Sequence, residues 1–329
     1  LTPVQLVGLS EDVVASLTPS QVAAINTIAI KALTTDQMQS LSAEQVRAMG
    51  PAQIRNLSIE QLEALEADRL QAIDPLDIAT ITMATIAGIK PEKFANLTTA
   101  QLVALTTAQI RVLSPSQLNA LTMDQVASLE AVDINALTSA QVASLSSDTV
   151  GAFTTQQIQA LSTSAIKNLS TQIAGLSDEQ LKALTVSQVR VMTANQLELM
   201  NEAQIQSIDV GDIAALPPST ISALSEDKFA FLSTTQLAGL TADQARALNS
   251  QQLSALGTAK LPALNTSAVA ALSADNLKAT AGSVLASLSS TQVSALTPAQ
   301  IRRLSASDLA TLTSKQIGQL SSSAIAAMT

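Results

Sequence analysis

The sequence predicts an all-α solenoid, a superhelix of about 41 short two-turn helices with one helix per octapeptide. Three observations predict it. A large apolar residue recurs every eight residues along the whole chain, a Ser, Thr, Asn or Asp follows it in nearly every unit, and the prolines gather at the position after that.

Stepping by eight from Leu1 reaches Leu9, Leu17, Ile25 and so on to Leu169, and every step lands on a large apolar side chain. One unit then has seven residues, 169–175, after which the step of eight resumes at Leu176 and runs to Met328, broken in its apolar character only by Thr280. This gives 21 octapeptides before the short unit and 19 after it. With the positions named a to h, the consensus is Leu-(Ser/Thr)-x-x-Gln-(Ile/Leu/Val)-x-Ala, as in Leu105-Thr106-Thr107-Ala108-Gln109-Ile110. A period this regular overrides the two or three domains that length alone would suggest. The chain therefore reads as a single domain, 1–329, with a phase slip at 169–175 rather than a boundary there.

An uninterrupted α-helix is excluded, because eight residues overshoot two turns by roughly 80° and an a/f stripe would spiral around the axis. Strands are disfavoured, because a and f have opposite parity and Ala and Gln are poor strand formers. A separate helix in each unit accounts for each position in turn. Position a is N′ and f is N4, the two apolar partners of a hydrophobic staple; f is aliphatic or Phe in every complete unit except at Ala245. Position b is the N-cap, whose side-chain oxygen accepts an orphan backbone N–H. It is Ser, Thr, Asn or Asp in all but seven units, the exceptions being Gly50, Glu66, Lys90, Glu130, Pro217, Gly257 and Ala281.

Position c is N1, where proline is welcome because its missing N–H would have been unsatisfied anyway. Eight of the ten prolines stand there: Pro3, Pro19, Pro51, Pro75, Pro91, Pro115, Pro218 and Pro298. Position e is N3, where Gln closes a capping box by reaching back to the N–H of b. Position h, often Ala, Gly or Ser, lets neighbouring backbones approach, and c, d and g carry most of the charges. Helices this short are unstable alone, so stacking between units must hold them.

Composition removes several functional classes. The chain has no Cys, His, Trp or Tyr, and its only aromatic residues are Phe94, Phe153, Phe229 and Phe231, all at a, f or h. Without Cys and His there is no disulfide framework and none of the ordinary zinc, copper or haem ligands. A net charge of -9 argues against nucleic acid, which needs a basic surface. No apolar run is long enough to span a membrane, and no signal peptide opens the sequence. The first and last units look like internal ones, so the sequence predicts either more protein beyond both ends or stacking of the ends on other copies.

No catalytic or cofactor-binding residue is predicted: the hydroxyls act as caps, and without His a hydroxyl nucleophile lacks its usual base. No cofactor is expected, and no small-molecule ligand is identified. The weak metal candidates are acids paired at b and e, Asp74/Asp77, Glu130/Asp133 and Asp209/Asp212, whose carboxylates could supply oxygens to calcium. The plainer account makes the first a cap and the second an acid at the positive helix end. Basic residues such as Lys93 and Lys228 read as a solvated face.

Phrases such as Leu17-Thr18-Pro19-Ser20-Gln21-Val22 resemble the opening of transcription-activator-like effector repeats, but the longer period and base-reading dipeptide of that family do not occur here. The array as a whole is similar to the octapeptide tracts of very large secreted or surface proteins of bacteria, often described as adhesin-like. That resemblance implies an extracellular or cell-surface structural protein, a spacer or fibre-forming segment that associates with itself end to end or laterally. A solenoid scaffold that binds a protein or peptide is the alternative, and a calcium-dependent adhesive module is a weaker one.

Overall fold

In the computed structural model, which describes residues 1–280 and 285–328, the chain is all-helical, with no strand among the described residues. Ala281 lies outside them. The chain divides into two compact units, Leu1–Asn168 and Leu169–Thr329, and the division falls where the seven-residue repeat begins.

In the first unit the 21 octapeptides form 21 helices, each of four to six residues. They are shorter than the two turns expected, for a local reason. Positions a and b are extended, as at Leu41 (φ -65°, ψ 140°) and Thr106 (φ -77°, ψ 153°). Only c to h remain for the helix, at most six residues or about one and two-thirds turns. The N1 prolines each open a helix, as in Pro51–Ile54 and Pro115–Asn119.

The second unit begins with a 3-10 helix, Thr171–Gly175, the tighter winding into which the short repeat compresses its turn. Octapeptide helices then run from Asp178–Lys182 onward. The helix Ser250–Lys260 joins two repeats across Gly257, whose φ of 56° is a left-handed conformation that favours glycine.

Within each unit, helices pack on the helix three octapeptides along: Thr99–Val103 on Met123–Ser128, Thr107–Ile110 on Ala131–Ala136, and Val210–Ala215 on Thr234–Ala238. Positions a and f build the core. Leu102, Ile110, Ile158 and Leu237 are fully buried, as are most f residues, and interior a residues such as Leu105 and Leu240 are nearly so. Each such side chain contributes roughly 1.5–3 kcal/mol by leaving water. Position h is small where the preceding turn comes close: a Cβ added to Gly88 would collide with Ile59, and one added to Gly239 with Val210.

Candidate functional site

The feature that recurs through both units is built around position e. Its local half is the capping box. Thr106 Oγ1 accepts from the N–H of Gln109, and Gln109 Oε1 accepts from the N–H of Thr106 at 2.8 Å. Both orphan donors at the helix start are thereby satisfied. The other half reaches across the superhelix. Gln109 Nε2 donates to the carbonyls of Ile78 and Ile81, at 3.0 and 2.9 Å.

The same two spacings, 31 and 28 residues, recur at Gln53, Gln61, Gln101, Gln117 and Gln141 in the first unit. They recur at Gln236, Gln244 and Gln252 in the second. A reach of 28 residues is three and a half octapeptides, which sets the superhelical turn between three and four helices. Gln196 meets the carbonyl of Leu169 at a spacing of 27, because the short repeat lies inside its loop.

The acceptors are the carbonyls of f and of the following a. The a carbonyl belongs to the extended link between helices, where no intrahelical donor serves it. The clamp glutamines are almost completely enclosed, for example Gln101, Gln117 and Gln252 at 0 % exposure. One side-chain amide therefore caps its own helix with oxygen and ties down the preceding turn with nitrogen. Glutamate could make only the first contact, and no octapeptide has Glu at e.

Units without Gln at e show which half each substitute keeps. Lys93 donates through Nζ to the carbonyl of Leu65, Lys228 to that of Met200 at 2.5 Å, and Lys260 to Leu232 at 3.0 Å. Lys93 and Lys228, expected on a solvated face, are instead inter-turn clamps, and Lys228 also lies 4.9 Å from the centre of the Phe231 ring. Lysine cannot accept, so the N–H of its cap residue needs another acceptor. For Lys93 and Lys228 a g side chain 27 residues before that cap provides it. The N–H of Lys90 donates to Glu63 and that of Ser225 to Glu198, both at 2.7 Å. Where Thr149 stands at e, Asn119 plays this part, accepting from the N–H of Ser146 and from Thr149 Oγ1.

Position e thus faces the g residue 30 residues earlier, and the charges follow that register. In the sequence, Lys93 has Glu63 at that place, Lys228 has Glu198, Asp77 has Arg47, Asp212 has Lys182 and Asp308 has Lys278. Lys278 helps hold the Asp308 carboxyl below its usual range, behind the stronger effect of hydrogen bonds from Ser305. Of the remaining charged e residues, Arg69, Lys260 and Asp133 have the uncharged Gln39, Ala230 and Val103 at that place.

The three acid pairs occupy this register rather than converging on one another. Each pair shares a helix start, Pro75–Ile78, Ala131–Ala136 or Val210–Ala215. Of the three b acids only Asp74 caps, accepting from the N–H of Leu76; Glu130 and Asp209 make no side-chain cap bond. Their e partners turn inward, with Asp133 2 % and Asp212 8 % exposed and Asp77 half-buried. Desolvation raises all three e carboxyls, with a smaller push from the acid at b, and Asp133 reaches about 6. Exposed acids at d behave oppositely: hydrogen bonds from the helix-start backbone and from Ser42 or Ser58 lower Glu44 and Glu60. Among the described residues no group of three or more acids is placed to hold a metal ion.

Phe94, Phe153 and Phe229 are core residues. A gap of about 10 Å³ lies between Leu118, Val126, Ile134 and Phe153, too small for a ligand. Among the described residues no helix is long and apolar enough to cross a membrane.

The ALTTAQ repeat family model matches twice, over residues 94–131 and 126–163. The hexapeptide itself stands at Ala104-Leu105-Thr106-Thr107-Ala108-Gln109, the link and capping box described above. No functionally curated protein matches the chain. Among solved structures, the crystal structure of an engineered protein is similar at 13% identity, covering 99% of this chain and 98% of that one, with a TM-score of 0.32. A score that low carries no argument about this chain.

Proposed function

We propose that this chain is a non-enzymatic structural segment, an extracellular spacer or fibre-forming stretch of a bacterial surface protein that associates through its repeat. One observation carries the reading: every side chain that recurs is already engaged by folding. Positions a and f are core, b and e cap the helix and clamp the turn, and h is small for close approach. Among the described residues the variable positions c, d and g form no cluster of three or more metal-ligating side chains, and the acidic net charge disfavours nucleic acid.

The turn-on-turn contact supports self-association. At the start of the chain the a residues Leu1, Leu9 and Leu17 are exposed or half-buried while the f residues Leu6, Val14 and Val22 are buried. At the other end the f residues Leu309 and Ile317 are half-buried and Ile325 is exposed, while the a residues Leu304, Leu312 and Leu320 are buried. Each edge offers what a further turn of the same repeat covers elsewhere, whether that turn belongs to the same polypeptide or to another copy. Such head-to-tail contacts build open filaments when they do not close.

Sedimentation and negative-stain electron microscopy of the purified chain test this. Rods longer than one chain, growing with concentration and shortened by Ile317→Arg, are expected. Strictly monomeric particles at high concentration would overturn the self-association.

A further inference from the structure

Asp133 differs from every other acid at position e. The same register that gives Asp77, Asp212 and Asp308 a basic residue 30 positions earlier gives Asp133 the valine Val103. Asp133 is 2 % exposed, and its Oδ2 is buried with no hydrogen-bond partner. Counted by the 31- and 28-residue spacings of the clamp, as at Gln141, the residues opposite Asp133 are Leu102 and Leu105. A carboxylate here sets oxygen against oxygen where Gln and Lys place an N–H.

We propose that Asp133 makes one turn-to-turn contact of the solenoid proton-dependent: the protonated carboxyl donates to the buried carbonyls that glutamine serves elsewhere, and the ionised carboxylate loosens that contact. A hydrogen bond from the Glu130 backbone favours the charge but is outweighed by burial, and no basic side chain lies on the helices packed against it. The helices packed on Ala131–Ala136, Thr107–Ile110 and Thr155–Ala160, carry no ionisable side chain. Arg111, which caps the first of them, is exposed. Glu130, on the same helix start as Asp133, is also exposed and adds a repulsion that favours the proton. A proton suits the slot better than a metal ion, because two carbonyls and one carboxyl fall short of the six to eight oxygens calcium takes.

The sign follows from the direction of the shift. Desolvation raises Asp133 from 3.8 to about 6 in the folded chain. Its contribution to stability is therefore complete below the unfolded value and is lost as the pH rises through about 6.

The test compares the wild type with Asp133→Gln, which restores the consensus clamp, by amide hydrogen exchange over residues 97–105 and 129–137 from pH 4 to 8, after correction for intrinsic exchange rates. Protection of the wild type relative to the variant is expected to fall on the order of 10–100-fold between pH 4 and 7.5. A ratio that stays flat across that range overturns the proposal. Asp133→Asn, uncharged at every pH, should remove the pH dependence as fully as Asp133→Gln. A ¹³C titration of the Asp133 carboxyl should give a midpoint near 6, and a midpoint near 4 also overturns it. If millimolar calcium at pH 7.5 protects the wild type and not Asp133→Gln, the slot takes a metal ion and the proton mechanism fails.

Discussion

The side-chain nitrogen of Gln109 lies 2.9 Å from the carbonyl oxygen of Ile81, 28 residues earlier in the chain. That contact joins successive turns of the superhelix, and it is made by the amide whose oxygen caps the helix of Gln109 itself. Separating the two functions of one side chain gives the first prediction.

Gln109→Glu keeps the capping oxygen and removes the donor, leaving a buried carboxylate against two carbonyls. A loss of about 3 kcal/mol or more is expected at neutral pH, from the unpaired acceptors and the desolvated charge. Gln109→Leu, which removes both functions without adding charge, should cost less, about 2 kcal/mol. Urea denaturation at pH 7.5 and pH 4.5 checks both: the deficit of the Glu variant should shrink on acidification and that of the Leu variant should not.

Glu63 exists in its present role because Lys93 cannot accept a hydrogen bond. Its carboxylate takes the N–H of Lys90, which a glutamine at 93 would otherwise take. Glu63→Ala should therefore cost about 1 kcal/mol in the wild type and close to nothing in a Lys93→Gln background. A double-mutant cycle measures the coupling, and additive costs would contradict the exchange of acceptors.

Gly239 is kept small by Val210 on the preceding turn, as Gly88 is by Ile59. Gly239→Ala should destabilise the chain by about 1–3 kcal/mol through overpacking, even though alanine favours helix. Adding Val210→Ala should recover most of that loss. Thermal unfolding of the two single variants and the double variant reads this directly.

How much of this was legible in the sequence depends on distance along the chain. The capping box at Thr106 and Gln109, the N1 prolines and the a/f core are relations within one octapeptide, and each residue type declares its position. The second function of Gln109 left a weaker trace, the absence of Glu at e, which a capping box alone does not require. The clamp role of Lys93 and Lys228 is not legible in the sequence, because nothing local separates an exposed lysine from one aimed at a carbonyl 28 residues away. The acid pairs offered two carboxylates at a spacing that suggests a ligand, whereas the inward turn of Asp133 and Asp212 follows from the slot they share with glutamine.

The sequence by itself determined the period, the start of each helix and the identity of the buried rows, because caps, prolines and staples act over three or four residues of backbone. Only the tertiary structure decided the spacing of 28 and 31 residues that brings e onto the carbonyls and g of the preceding turn. That spacing is the sum of many small rotations at the extended links, fixed by how the a and f side chains pack, and no single octapeptide contains it.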